Sequence, residues 1–216
     1  MNLHSIRVKS SLPMLILALT LLIVVSMFSY LSGLQKNALA IQADNFLQAI
    51  SVVLNADRDL YQAKLATTMH LSKQGDSAAL ETEVEDNAQQ VKQRFADYLN
   101  FLKSYPDVQQ QFAEFEQDYQ LWYQSVNALL AASRAGNAGA DLVAEEQTQF
   151  AALRSVLDKA GEAALNKSIS EQQVLTSEIS FFQNTTYSIT AVILLIAGWF
   201  SYSVPKSLTT QINALT

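Results

Sequence analysis

The 216-residue chain has no cysteine, only three prolines and six glycines, and few charges, with 16% of its residues Asp, Glu, Lys or Arg. Without cysteine it cannot be a disulfide scaffold. A charged fraction well below the roughly 25% of typical soluble domains excludes an ordinary soluble fold. The 14 basic residues are outnumbered by 20 acidic ones, which excludes a nucleic-acid binder because such a protein needs a basic patch.

The missing charges have definite positions. Residues 10–35 and 179–205 carry none at all, and each run can hold the roughly 20 apolar residues that span a bilayer as a helix. We predict transmembrane helices at residues 12–32 and 187–204, with Trp199 and Tyr202 at the membrane interface. A cleaved signal peptide ending near residues 38–40 (ALA) is the alternative. The first run exceeds the about 7–15 residue core of such signals, which favours an uncleaved anchor.

The distribution of basic residues predicts the orientation. Arg7 and Lys9 precede the first run and Lys206 follows the second, so residues 1–11 and 205–216 are expected in the cytoplasm. Residues 36–178 contain all 20 acidic and 11 basic residues, a net charge of −9. We therefore expect a bacterial inner membrane protein that crosses the lipid twice, with residues 33–186 in the periplasm.

Glycine and proline divide the exported segment into four helices. The breaks are residues 74–77 (QGDS), Pro106 and residues 136–139 (GNAG). Four helices are predicted. The first runs continuously from the first span to about residue 73, and the second covers residues 78–103. The third runs from a Ser104 cap to about residue 135, and the fourth from Ala140 into the second span. Their apolar stripes have spacings of three and four residues, as in Phe112, Phe115, Tyr119, Trp122, Val126 and Leu129. The predicted fold is all-α: two transmembrane helices flanking an antiparallel up-down-up-down four-helix bundle.

This plan resembles the bacterial methyl-accepting chemotaxis proteins, the chemoreceptors with a four-helix-bundle sensor domain. Residues 55–63 (NADRDLYQA) and the turn at 136–140 (GNAGA) are similar to segments of that family. Residues 205–208 (PKSL), with Ile212 and Leu215, resemble the start of a HAMP domain. The resemblance implies a homodimer, a receptor truncated at Thr216, and cytoplasmic signalling partners bound by the absent C-terminal region.

Polar residues interrupt the apolar stripe of the first exported helix at Asp57, Lys64 and Thr67, as in a ligand site. In the aspartate and serine receptors, basic residues of this helix from two subunits hold the ligand carboxylate, and the start of the fourth helix completes the pocket. The resemblance implies Lys64 and Arg58 as the basic residues, with Glu146, Gln147 and Thr148 from the fourth helix. The expected ligand is a small anionic or zwitterionic metabolite, bound directly or through a periplasmic binding protein.

The same residues have plainer interpretations. A polar residue in a helix seam can specify register, and the acidic run Glu81, Glu83, Glu85 and Asp86 is predicted to be a solvated first turn favoured by the helix dipole. His70, without cysteine, is a poor transition-metal ligand. No enzyme activity, metal, cofactor or nucleic acid is expected, and lipid is a partner only of the spans. The functional alternatives are the input half of a sensor histidine kinase, or a structural bundle that only dimerises or holds a partner.

Overall fold

The computed structural model describes residues 6–213, and the side chains of residue 11 and residues 14–203. The side chains of Arg7, Lys9 and residues 205–208, and all of Leu215, therefore lie outside the described residues. The helices are α1 (Ile6–Ile41), α2 (Gln48–Leu71), α3 (Ser77–Phe101), α4 (Pro106–Gln109), α5 (Phe115–Arg134) and α6 (Ala140–Asn213). A π-helical turn (Gln42–Leu47) joins α1 to α2, and a 3₁₀ turn (Gln110–Phe112) follows α4. The described residues contain no strand, which confirms the predicted all-α class.

The chain divides into two compact units. One is Leu39–Glu171, called here the bundle unit, and the other consists of Met1–Ala38 and Gln172–Thr216. Because α6 runs from Ala140 to Asn213 without a break, it belongs to both. Two helices are long and apolar enough to cross a membrane, and 6% and 0% of the residues in their most apolar windows are buried. The predicted spans are therefore long helices that expose their apolar side chains.

Two of the three predicted breaks between the bundle helices have the helix caps that their sequences indicate. Asp76 caps α3 by accepting a hydrogen bond from the Ala78 amide at 3.0 Å. Gly136 follows α5 with φ +74°, and the Asn137 amide donates back to the Ala132 carbonyl at 2.9 Å. This is the left-handed C-cap that only glycine adopts without strain.

The start of the third bundle helix differs from the prediction. Ser104 is not its cap: Tyr105 occupies the N-cap position without a side-chain hydrogen bond, and Pro106 is the first helical residue. The predicted continuous helix is also broken, because α4 and the 3₁₀ turn are separated from α5 by residues 113–114. The apolar spacing continues through this break, so periodicity alone could not reveal it.

The π-helical turn was not predicted either. It brings Gln42 to α6, where the Gln42 amide donates to the Ser168 carbonyl at 3.1 Å and the Ser168 hydroxyl donates back to Gln42 at 2.5 Å. Both residues belong to the bundle unit. π-Turns often mark functional positions in helices.

The core of the bundle unit is rich in aromatic side chains that also make polar contacts. Trp122, Tyr98, Phe46 and Phe95 are among its largest fully buried residues, and each such side chain contributes roughly 1.5–3 kcal/mol by burial. The Tyr98 hydroxyl donates to the Ala160 carbonyl at 2.9 Å and the Tyr119 hydroxyl to the Ala88 carbonyl at 3.1 Å. Burial raises the pKa of Tyr119 to about 12, so it stays a neutral donor at physiological pH.

His70 and two residues of the acidic run make polar contacts that the sequence did not predict. His70 is buried and its Nε2 lies 3.1 Å from Glu81 Oε1, while Arg134 lies 3.1 Å from the other oxygen of Glu81. Tyr123 donates to Glu85. Glu83 and Asp86 of the run are exposed, and Glu81 and Glu85 are partly exposed. No acidic residue lies in the first turn of α3, so the predicted position of the run in that turn was wrong.

Candidate functional site

A cluster of polar and aromatic side chains lies between α2 and α6 in the bundle unit. The spacings of three and four residues on each helix place its members along one face. We call it the α2–α6 polar cluster; it comprises Asp57, Tyr61 and Lys64 of α2 with Glu146, Phe150 and Arg154 of α6. Its centre is an ion pair in which Lys64 Nζ donates to Glu146 Oε2. The Glu146 side chain is fully buried and that of Lys64 is 27% exposed.

Arg154 is the second cation of the cluster. Its Nε lies 3.4 Å from Asp57 Oδ1, and its Nη2 lies 3.9 Å from Asp158 on the next turn of α6. The guanidinium also lies over the Tyr61 ring, 5.1 Å from the centroid, while Lys64 Nζ lies 5.5 Å from the Phe150 centroid. The two rings meet edge to face at 5.3 Å. Each cation therefore has a carboxylate and an aromatic face as neighbours.

Several polar atoms of the cluster have no hydrogen-bond partner. Glu146 Oε1, Asp57 Oδ1 and Arg154 Nε are buried without one. The Asp57–Arg154 contact is thus an ion pair by distance but does not have hydrogen-bond geometry. Burial raises the pKa of Asp57; Arg154 opposes that rise and Asp158 adds to it. Asp57 Oδ1 and Arg154 Nε face each other at 3.4 Å, so Glu146 Oε1 is the atom of the cluster that has unused hydrogen-bonding capacity.

The remaining residues of the predicted site lie apart from these contacts. Arg58 is exposed and its Nη2 lies 2.9 Å from Asp59. Thr67 is buried, with its hydroxyl donating to the Ala63 carbonyl at 2.8 Å. Gln147 and Thr148 are exposed, and Thr148 donates to the Ala144 carbonyl at 2.8 Å. The structure thus brings Asp57 and Lys64 into one cluster with Glu146, whereas the polar contacts described for Arg58, Thr67 and Thr148 lie outside it.

Sequence reasoning did not select Tyr61, Phe150 and Arg154. Glu146, Phe150 and Arg154 follow one another at intervals of four residues. That spacing was the available signal, since it places a carboxylate, a ring and a cation on one helical face. Nothing in the sequence distinguished Asp59, which is fully buried and paired with Arg94 and Arg58.

Metal binding has no support in the part of the chain that the structure describes, where no group of three or more His, Asp or Glu residues could hold an ion. The chemistry available at the cluster is ionic and aromatic, suited to holding a small charged molecule.

Comparison with known proteins gives one match. A family model described as Tar ligand binding domain homologue (TarH) matches residues 2–168. The matched range includes every residue of the α2–α6 polar cluster. No curated protein and no solved structure matches the chain.

Proposed function

Because the chain belongs to the family of Tar ligand binding domain homologues, we propose that it is the sensory part of a transmembrane chemoreceptor that binds a small molecule at the α2–α6 polar cluster. The observation that carries this proposal is Glu146, a fully buried carboxylate with only one of its oxygens hydrogen-bonded. A buried acceptor left open is unfavourable for folding alone, but a bound ligand that donates a hydrogen bond would satisfy it.

The charges of the cluster indicate the ligand class. Lys64 and Arg154 are balanced by Glu146 and Asp57, so the cluster has no net charge. A zwitterion can exchange with these internal pairs, its carboxylate meeting the cations and its ammonium meeting the carboxylates, without leaving a buried charge unpaired. A zwitterionic metabolite therefore fits better than a dianion. A binding protein that delivers the ligand is compatible with the same site.

The proposal predicts a ligand-dependent rise in the melting temperature of the full chain in dodecyl maltoside. A panel of amino acids and dicarboxylates is screened, and a true ligand at 100 times its dissociation constant should stabilise the fold by about 2.7 kcal/mol. The double variant Lys64→Met/Glu146→Leu should lose the shift while still folding, since apolar replacement of a buried ion pair is often neutral.

The matched control is Lys92→Met/Glu116→Leu, which removes an exposed ion pair of 2.6 Å and leaves the cluster intact. It should keep the full ligand shift. Equal shifts in the two double variants would place the site elsewhere. A panel in which no compound shifts the melting temperature would favour a bundle that only holds a protein partner.

The proposal includes a parallel homodimer formed through α2 and the last residue of the π-helical turn before it. Leu47, Leu54 and Tyr61 are spaced seven residues apart and are 61%, 63% and 45% exposed, and Leu65 is 59% exposed. Such a heptad stripe is typical of a coiled-coil seam. Since the chain has no cysteine, Leu54→Cys should form a disulfide-linked dimer on mild oxidation, whereas Gln93→Cys on α3 should not.

The output step of the proposal uses the continuity of α6. Glu146, Phe150 and Arg154 belong to the helix that continues to Asn213, so a shift of roughly one to two Å at the cluster can be carried along it. A HAMP domain starting at residues 205–208 would receive the signal in the cytoplasm, with residues 33–186 in the periplasm and both termini cytoplasmic. Cysteine pairs between the spans should cross-link at a different rate once ligand saturates the site; an unchanged rate would contradict this step.

A further inference from the structure

A second concave site lies within the bundle unit, between the end of α2, the start of α3 and the end of α5. It has a volume of about 350 Å³, and we call it the His70 pocket. The described residues that line it include no carboxylate, and its polar side chains include His70, Lys73, Ser77, Ser133 and Arg134. The pocket contains no residue of the α2–α6 polar cluster, so it is a separate site.

His70 is the buried side chain of this pocket. Its side chain is 3% exposed. Its Nε2 lies 2.6 Å from the Ser77 hydroxyl and 3.1 Å from Glu81 Oε1, and its Nδ1 lies 3.2 Å from the Ser133 hydroxyl. A neutral imidazole donates from one nitrogen and accepts at the other, whereas a protonated one donates from both. Because a hydroxyl can either donate or accept, His70 can gain a proton without losing a hydrogen bond.

The charges around the imidazole are mainly positive. Glu81 faces His70 from α3 and also pairs with Arg134 of α5, whose Nη1 lies 3.1 Å from Glu81 Oε2. Lys73, just after α2, is exposed and has no ion pair among the described residues. Asp76 accepts the hydrogen bond that caps α3 and does not line the pocket. Two cations facing one carboxylate leave one positive charge at the pocket, and protonation of His70 would add a second.

The hydrogen-bond donors of the pocket suit an oxyanion. Arg134 is 58% exposed and contacts Glu81 through one nitrogen, and a guanidinium has five N–H donors in all. The Lys73 ammonium adds three donors. Charged donors of this kind form short, strong hydrogen bonds with the oxygens of anions. The Ser77 and Ser133 hydroxyls, which contact the imidazole, line the same space.

We propose that the His70 pocket binds a small divalent oxyanion, and binds it more tightly when His70 is protonated. Lys73 and Arg134 would contact the oxygens of the anion from the exposed side, and His70 would supply a further positive charge from the buried side. A histidine changes its charge between pH 5 and 8, so occupancy of the pocket would rise as the medium becomes more acidic. This site requires neither Lys64 nor Glu146 and does not depend on the proposed function.

The test titrates sodium sulfate into the full chain in dodecyl maltoside, followed by calorimetry, with sodium chloride at equal ionic strength as the control. Sulfate stays divalent between pH 5.5 and 8, so a change in its affinity over this range reports a change in the protein. We expect saturable heat for sulfate alone, with an affinity at least about threefold higher at pH 5.5 than at pH 8. His70→Gln, which keeps a polar side chain without the charge, should bind sulfate equally at both pH values.

A pair of double variants tests the two exposed cations. Lys73→Gln/Arg134→Gln should weaken sulfate binding at least about tenfold, because two positive charges beside the anion are lost. Lys103→Gln/Lys159→Gln removes the same charge from exposed positions outside the lining. This control should change the affinity less than about twofold, since salt screens charges that lie more than about 10 Å away.

The remaining outcomes separate this site from the zwitterion site. Lys64→Met/Glu146→Leu should bind sulfate like the unmodified chain, and loss of sulfate binding in this variant would place the anion at the α2–α6 polar cluster and overturn the proposal. Equal heats for the two salts, equal affinities in the two lysine and arginine double variants, or an affinity that does not change with pH would overturn it as well. A failed zwitterion screen alters none of these outcomes.

Discussion

The two seams that α2 makes with its neighbours α3 and α6 each contain a fully buried carboxylate, but the two carboxylates are satisfied to different extents. In the α2–α3 seam, Asp59 uses both oxygens, one with Arg58 and the other with Arg94. In the α2–α6 seam, Glu146 uses one oxygen with Lys64 and leaves the other without a partner. A buried acid that is fully paired serves the fold, whereas one with an open acceptor is available to a ligand.

The difference extends beyond these two residues. Asp57, Glu146 and Arg154 each have a buried atom without a hydrogen bond, and all three lie in the α2–α6 seam. The same seam contains a groove of about 370 Å³ whose lining includes Gly161. The only other such atom among the described residues is Nε1 of Trp122 on α5. Of the three atoms in the α2–α6 seam, those of Asp57 and Arg154 face each other as an ion pair. Glu146 Oε1 is therefore the open acceptor in the seam that we assign to ligand binding.

The largest expected effect tests the open carboxylate. Lys64→Ala removes the one hydrogen-bonding partner that the Glu146 carboxylate has among the described residues, and leaves a fully buried charge uncompensated. We expect the free energy of unfolding to fall by about 3–5 kcal/mol. Chemical denaturation at pH 7, followed by near-ultraviolet circular dichroism, measures it. Lys64→Met/Glu146→Leu should recover most of the loss; if it does not, lost packing rather than the unpaired charge is responsible.

The next effect tests the satisfied carboxylate. Arg94→Ala leaves Asp59 with its hydrogen bond from Arg58, so we expect a smaller loss of about 1.5–3 kcal/mol, the contribution of one charged hydrogen bond. The same denaturation assay applies. Lys92→Ala, which breaks a half-exposed pair, serves as the control and should lose at most about 1 kcal/mol. A loss for Arg94→Ala larger than that for Lys64→Ala would reverse the comparison between the seams.

The sequence predicted the helices and most of their ends because apolar periodicity and caps such as Asp76 and Gly136 are local signals. It did not predict the break before Phe115 or the π-helical turn at Gln42–Leu47, because the apolar spacing continues through both. Three residues of the α2–α6 polar cluster could be predicted. Asp57 and Lys64 are polar residues in an apolar stripe, and the family resemblance implied Glu146. The other residues could not be predicted, because the burial and pairing of a side chain depend on which helices are neighbours in the tertiary structure.

The third effect tests the space in the α2–α6 seam. Gly161 lies inside α6, where alanine is favoured over glycine by about 0.8–1.0 kcal/mol. The added Cβ would contact Val53 at 3.6 Å without a clash, so Gly161→Ala should raise the free energy of unfolding by nearly that amount. A matched substitution at another half-buried α6 position, Gln149→Ala, should change it little. A destabilised Gly161→Ala protein would mean that the seam is already tightly packed there.

The smallest effect concerns the charge of Asp57 and depends on pH. Its folded-state pKa is raised, chiefly by burial, so ionisation of Asp57 disfavours the folded state. Its contribution to stability is complete below the ordinary carboxyl pKa and is lost as pH rises through the raised value. Asp57→Asn, which is neutral at every pH, should therefore melt slightly higher than the unmodified chain at pH 7, and this advantage should disappear near pH 3, where both side chains are uncharged. Melting temperatures measured in parallel across this range distinguish the two outcomes.

An advantage of Asp57→Asn that persisted at pH 3 would attribute the effect to packing. A lower melting temperature at pH 7 would show that the ion pair with Arg154 outweighs the burial of Asp57, and that the α2–α6 seam is as well satisfied as its counterpart.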